Sequence, residues 1–459
     1  MQIRAAIVRA IRASRRLIGK PVLVALALTV LMTAPLPAQT PAANKTAAVD
    51  LNNRGLVLYQ AGKIDEAIRL YRQALALYPD FPEALTNLGL ALDAKGNTEE
   101  ALADFHQALI INPRDAVTAS NVGLALYHAK KYDESIAAYR QALAIRSDLP
   151  QAYNSMGAAL FAAGRADEAI DAYRKALSLT PKYVDAINNL AAALDSKQQW
   201  DESIRLYQQA ISLLPKALDI RTNYTNALIH AGRNDEAIAA YREIVARFPE
   251  NAHAWFELGH LLYNAGQLDE SVASLQRSLS LDAKQPEACF NLARALQDQQ
   301  KFPEAIAEYE QGLALNPADS HALYNLGNTY LHVNQPKKAV EMFRKAIAAQ
   351  PNLFEAQLAL GVALMQSGDL NAAETAFRNY IAQKPDDPEA FFNLANLLFN
   401  KGQYKAAADS YREAVRLRPE FARAHYNLAS TLQHLREYDA AKKEFDEAIR
   451  LDPSLKRPQ

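Results

Sequence analysis

The chain has 459 residues, half of them hydrophobic, and a formal net charge of −1; its first 38 residues hold six basic side chains and no acidic one, so the remainder carries −7. An acidic body lacks the basic face that displaces phosphate counterions, which speaks against a nucleic-acid partner. Cys289 is the only cysteine, which excludes an intrachain disulfide, a cysteine-based zinc site and a CxxC redox motif.

Residues 1–38 have the layout of an export signal. Arg4, Arg9, Arg12, Arg15, Arg16 and Lys20 precede an apolar run, PVLVALALTVLMTA, over 21–34, and small residues with proline lead to Ala38, after which cleavage is expected. The stretch SRRLIGK looks like a twin-arginine signal at Arg15 and Arg16 but departs from it at Ile18 and Gly19, where an aromatic and a leucine are typical, so Sec export is an equal alternative. An uncleaved anchor is the competing reading, although the apolar run falls short of the roughly 20 residues that span a bilayer. Membrane contact is expected only through such an uncleaved signal. The destination expected is the periplasm, with secretion or attachment to the envelope also open. A linker follows at 39–47.

From Ala48 onward a pattern of small, small, aromatic, small and proline returns every 34 residues without insertion or deletion. Twelve units fill 48–455, at 48–81, 82–115, 116–149, 150–183, 184–217, 218–251, 252–285, 286–319, 320–353, 354–387, 388–421 and 422–455, and a tail is left at 456–459. Within each unit position 8 is mostly glycine or alanine, and position 20 is always alanine or serine, so two helices can approach closely. Position 24 is aromatic in eleven units, from Tyr71 to Phe445, with Leu275 the exception. Proline at position 32 in ten units ends the second helix, because its ring and missing N–H forbid continuation. Glycine at position 15 in seven units (Gly62, Gly96, Gly164, Gly232, Gly266, Gly368 and Gly402) suits the left-handed residue that closes a helix. Each unit therefore reads as helix, turn, helix. Units 6 and 7 depart most, with Thr225, Ile244, Leu275, Ser278 and Ala283, which predicts a local change of pitch over 218–285.

The period and these residues resemble the tetratricopeptide repeat family, down to fragments such as AWFELGHLLYNAGQLDES at 254–271. The resemblance implies an all-α chain, a right-handed superhelical α-solenoid of about twelve helical hairpins, that binds protein or peptide on an inner groove formed by the first helices. Such arrays need polar ends. Position 21 is Ile, Leu or Val in nine units and then Glu374, Ala408 and Lys442, which predicts that the last helix caps the stack.

Fourteen of the sixteen glycines are used at positions 8 and 15, leaving Gly19 and Gly312, so nothing remains for a phosphate-cradling loop. No catalytic domain is expected outside the repeats. His253, His260 and His321 fall on the inner stripe, but 253 and 260 lie about 10 Å apart along one helix, too far for chelation, and no metal, cofactor or small-molecule substrate is expected. His128, His230, His332 and His434 share position 13, a recurrence read as chance. Glutamates after proline, as in PEAL, PEAC and PEAF, match the preference of helix N-termini for negative charge.

Position 6 holds asparagine in nine units: Asn53, Asn87, Asn121, Asn189, Asn223, Asn291, Asn325, Asn393 and Asn427. Asparagine costs roughly 0.5 kcal/mol relative to alanine inside a helix, so its recurrence there asks for a reason. Positions 2, 6, 9 and 13 share one face. A carboxamide both donates and accepts, and hairpins about 10 Å apart would present one amide to every third residue of an extended strand rising about 3.3 Å per residue. The row resembles the inner ladder of the repeat domain of O-linked N-acetylglucosamine transferase, without its catalytic domain; the competing reading is that these amides bond hairpin to hairpin. Leu56, Tyr59, Leu90, Leu124, Tyr127 and Phe161 make the adjoining groove apolar in the first four units, a feature of contact surfaces. Farther along, Asn226, His260, Arg294, Asn328 and Asn396 make it polar, so a ligand with an apolar segment and a polar continuation suits both stretches. Inward cations are too sparse for a clamp on a terminal carboxylate. The function expected is a non-enzymatic scaffold that holds extended polypeptide in envelope assembly or secretion; the alternative is an adaptor of a polysaccharide-export or other envelope complex that works through its outer surface.

Overall fold

The computed structural model describes residues 41–456; the expected export signal, its expected cleavage site and the last three residues lie outside them. The described residues form 24 helices and no strand, paired into twelve hairpins in the order of the 34-residue units. Pro82–Ala94, of 13 residues, and Thr98–Ile111, of 14, are a typical pair. The expected linker is different: the first helix runs from Pro41 to Gln60, because Ala42, Ala43, Ala47 and Ala48 are strong helix formers behind a proline that suits the first turn. No described helix is long and apolar enough to cross a membrane.

The chain divides into two compact units, one ending at Pro215 and one beginning at Lys216. Hairpins 1–5 belong to the first and hairpins 6–12 to the second. Within each, consecutive first helices touch while consecutive second helices do not, so each stack bends with its first helices on the inner side. The exception is hairpins 6 and 7, whose first helices, Leu218–His230 and Ala252–Asn264, do not meet. Here Ile244 fills the place that alanine has in most hairpins and is buried; its size alone is not the cause, because hairpin 10 buries Tyr380 at the same place and its first helix still touches that of hairpin 11.

Packing explains the small residues. A Cβ on Gly89 would lie 2.6 Å from the Phe105 ring, and one on Gly157 the same distance from Tyr173; the aromatic of the second helix lies directly on the first. Hairpins 5, 8, 11 and 12 have alanine at this place beside Tyr207, Tyr309, Tyr411 and Phe445, all still buried, so a small ring shift accommodates one methyl. Gly96 and its six equivalents have φ between +71° and +89° with open space around them. The other five hairpins take the same left-handed conformation with Lys130, Gln198, Gln300, Asn334 and Arg436.

Both ends of the repeat stack are polar. In hairpin 1, Asp50 and Arg54 form an exposed ion pair at 3.5 Å at places where hairpin 2 buries Ala84 and Leu88. Val57 is 65% exposed, whereas its equivalents Ala91, Ala125 and Ala159, covered by a preceding hairpin, are at 0%. At the other end Lys442 is exposed. Glu374 does not belong to that cap: it is mostly buried inside the stack, where Lys401 of the next hairpin at 2.6 Å and Arg378 at 2.9 Å neutralise it, and Ala408 is buried too.

The last hairpin holds a charged histidine. His425 is buried, with Nδ1 2.6 Å from the Glu444 carboxylate and Nε2 2.9 Å from the Pro419 carbonyl. Neither partner can donate, so both ring nitrogens must carry protons. Glu444 foremost, helped by the Pro419 carbonyl and the Glu447 charge and opposed by burial, raises the imidazole pKa above its usual 6.5. A raised folded pKa means that the stabilisation is complete below the unfolded value and is lost as pH rises through the folded one. Hairpin 12 should therefore weaken by about 1–3 kcal/mol on passing to alkaline pH, read as faster amide exchange over 422–455 after correction for intrinsic rates. His425→Gln should abolish that dependence, and a variant that keeps it would refute the assignment.

Candidate functional site: the inner face of the first helices

The structure resolves the asparagine row into distinct roles. Asn87 Nδ2 donates to Asn52 Oδ1 at 2.9 Å, Asn189 to Asn154 at 3.1 Å and Asn427 to Asn396 at 2.9 Å, each partner belonging to the preceding hairpin. Asn291 Nδ2 lies 3.3 Å from Nδ1 of His260, also one hairpin back. Asn325 interacts with the Tyr309 phenol, and Asn223 is likewise engaged. Asn53, Asn121 and Asn393 have no hydrogen-bond partner among the described residues. Hairpin-to-hairpin bonding is thus part of what these amides do. It does not exhaust them: a carboxamide has two N–H groups and an oxygen with two lone pairs, so Asn87 and Asn189, each making one bond, keep an acceptor and a donor.

Position 5 is a partner that the sequence reading passed over. It is polar in hairpins 1–6 (Asn52, Thr86, Ser120, Asn154, Asn188, Thr222) and Phe256, Phe290, Tyr324, Leu358, Phe392 and Tyr426 in hairpins 7–12. Asn52 and Asn154 receive the ladder bonds in the first body. In the second, Tyr324, Phe392 and Tyr426 pack on the position-24 rings Phe343, Tyr411 and Phe445 at 5.9, 5.9 and 5.2 Å, which doubles the aromatic layer beneath the inner face. The change at hairpin 7 is visible in the sequence once position 5 is aligned.

Of the apolar groove residues, Leu56 and Phe161 are exposed and Tyr59, Leu90, Leu124 and Tyr127 half-buried. Leu56, Leu90 and Leu124 occupy one position of three successive first helices, so they form a row parallel to Asn53, Asn87 and Asn121. Three of the position-13 histidines pack one hairpin back: His128 Nδ1 is 2.8 Å from Asp93, His332 stacks on Phe302 at 5.1 Å and His434 on Tyr404 at 4.5 Å. In the second body Asn396, Phe399, Asn400, Tyr411, Asn427 and Ser430 line a pocket of about 390 Å³ with no charged side chain. No group of three metal-ligating side chains occurs among the described residues. Burial pushes the Asp104 carboxyl up to about 6 and raises that of Glu308; both belong to second helices, away from the inner face.

Models of the tetratricopeptide repeat match residues 52–117, 225–286, 290–354, 327–388, 358–419 and 392–455, 114–182 and 148–216, and 196–246. Comparison with curated protein sequences finds no match. Among solved structures, the chain is similar to the APC/C hetero-tetramer Cut9–Hcn1 (14% identity, 89% of this chain and 94% of that one, TM-score 0.39). It is also similar to MamA (25% identity, 35% and 95%, TM-score 0.33). A third is TTC0263, a thermophilic TPR protein in Thermus thermophilus (23% identity, 40% and 100%, TM-score 0.36).

Proposed function

Because the chain belongs to the tetratricopeptide repeat family, whose members generally bind protein partners, we propose that it is a non-enzymatic scaffold that holds extended polypeptide on the inner face of its first helices. The observation that supports this most is the row Asn53, Asn87 and Asn121, which retains unused donors and acceptors beside the leucine row at positions 56, 90 and 124. Main-chain amides of a visiting strand match the first row and its side chains the second. The N-terminal export signal supports a place of action outside the cytoplasm, in envelope assembly or secretion, on polypeptides that are not yet folded.

Photo-crosslinkers placed at Leu90 and Leu124 should capture polypeptide, and Asn53→Ala with Asn87→Ala and Asn121→Ala should reduce that capture at least about tenfold. Asn52→Ala is the control. It breaks the same hairpin-to-hairpin bond as Asn87→Ala but leaves the Asn87 amide in place, so capture should persist. Capture instead through Ile110, exposed on the second helix of hairpin 2, with the triple variant unimpaired, would favour an adaptor that uses its outer surface.

A further inference from the structure

Among positions 2, 5, 6, 9 and 13 of hairpins 6–12 the lysine and arginine side chains are two, Arg294 in hairpin 8 and Arg423 in hairpin 12. Arg294 is the one of the two that stacks on an aromatic ring of the preceding hairpin. It is exposed. Its guanidinium carbon stands 4.8 Å from the centre of the Tyr263 ring of the preceding hairpin, and Nη2 is 3.4 Å from the Tyr263 hydroxyl. That hydroxyl in turn donates to Asp298 at 2.8 Å. The carboxylate therefore fixes the phenol, the phenol supports one face of the guanidinium, and Arg294 makes no ion pair among the described residues.

A stacked arginine with free N–H edges is prepared to meet a planar carboxylate with two parallel hydrogen bonds. We propose that Arg294 selects an acidic side chain within the extended polypeptide held on this face, an inference that rests on the reading given above. Two features decide between that ligand and other anions. Asp298, one helical turn away, leaves the local charge balanced, which suits a monoanion better than a phosphate dianion. The polar inner face also continues on both sides, with His260 and Asn291 behind and Asn325 and Asn328 ahead, so the bound chain runs past Arg294 rather than ending there. The acidic residue is internal.

The test uses two blocked peptides of about fifteen residues, acetylated and amidated, one repeating Gly-Ser-Glu and the other Gly-Ser-Gln, matched to the hairpin spacing. Binding to the mature protein is read by fluorescence anisotropy. The glutamate peptide should bind about tenfold more tightly at low salt, with the preference shrinking as salt is added. Arg294→Gln, at an exposed site, should erase the preference while leaving the glutamine peptide unchanged, and Arg294→Lys should keep part of it. Equal affinities in the wild type, a preference that survives Arg294→Gln, or displacement by inorganic phosphate well below the peptide's own concentration range would each overturn the assignment. Failure of both peptides to bind would sink it together with the polypeptide-binding reading; a glutamine peptide that binds equally well would sink the role of Arg294 alone.

Discussion

Phe105→Ala is expected to destabilise the first body by about 3–5 kcal/mol, the usual cost of removing a fully buried ring. Phe105 is at 0% exposure and belongs to a cluster with Leu88, Leu92, Ala101, Val122 and Leu126 that joins hairpin 2 to its neighbours. It also lies directly on Gly89, so truncation leaves a void whose floor has no side chain to fill it. Stacked repeats touch only their neighbours, so the loss should be confined. Amides of hairpins 1–3 should lose protection from exchange while hairpins 8–12 keep theirs, and a uniform loss along the chain would contradict the stacking described. Hairpin 7 supplies an internal comparison, because Leu275 occupies the equivalent place and is fully buried. Phe105→Leu should accordingly cost much less than the alanine change, within about 1.5 kcal/mol if the neighbours repack.

Replacing Lys130, Gln198, Gln300, Asn334 and Arg436 together by glycine should raise stability by about 3–5 kcal/mol in total. Each has φ between +57° and +64°, a conformation that brings Cβ towards the following carbonyl and costs a non-glycine residue about 1–2 kcal/mol, less for asparagine. Glycine's greater freedom when unfolded offsets part of the gain. None of the five side chains makes a hydrogen bond or ion pair among the described residues, so nothing in the folded state is lost with them. The sites are at least a full repeat apart, and their effects should add. Denaturant melts of the single and combined variants measure this. Variants that are neutral one by one would show that these turns carry no strain, and the reverse change Gly96→Lys would then be neutral as well.

Much of the inner face could be read before any coordinates. The asparagines at position 6, the leucines at 56, 90 and 124 and the aromatics beside them share one helical face because 34-residue register and a period near 3.6 leave them no other. What hydrogen-bonds to what could not be read. Asn87 and Asn121 are identical in repeat position, yet one donates to Asn52 and the other has no protein partner, because the outcome depends on whether position 5 of the preceding hairpin is asparagine or threonine. Arg294 was visible as one of two sparse inward arginines, with Arg423, but its support by Tyr263 and Asp298 is a contact between residues about one repeat apart, which no local pattern encodes.

Local sequence was sufficient for the hairpins themselves. Proline at position 32 stops a helix by covalent geometry, glycine at position 15 permits the left-handed turn, and small residues at 8 and 20 let two helices close; each effect acts within a few residues and so is written in composition and spacing. Tertiary packing alone decided the rest: Lys130 and its four counterparts adopt glycine's conformation because the stacked helices on either side demand the same turn, Glu374 is buried because Lys401 arrives from the next hairpin to neutralise it, and the chain divides after Pro215. Each of these depends on free energy shared between hairpins, which is set only when they meet.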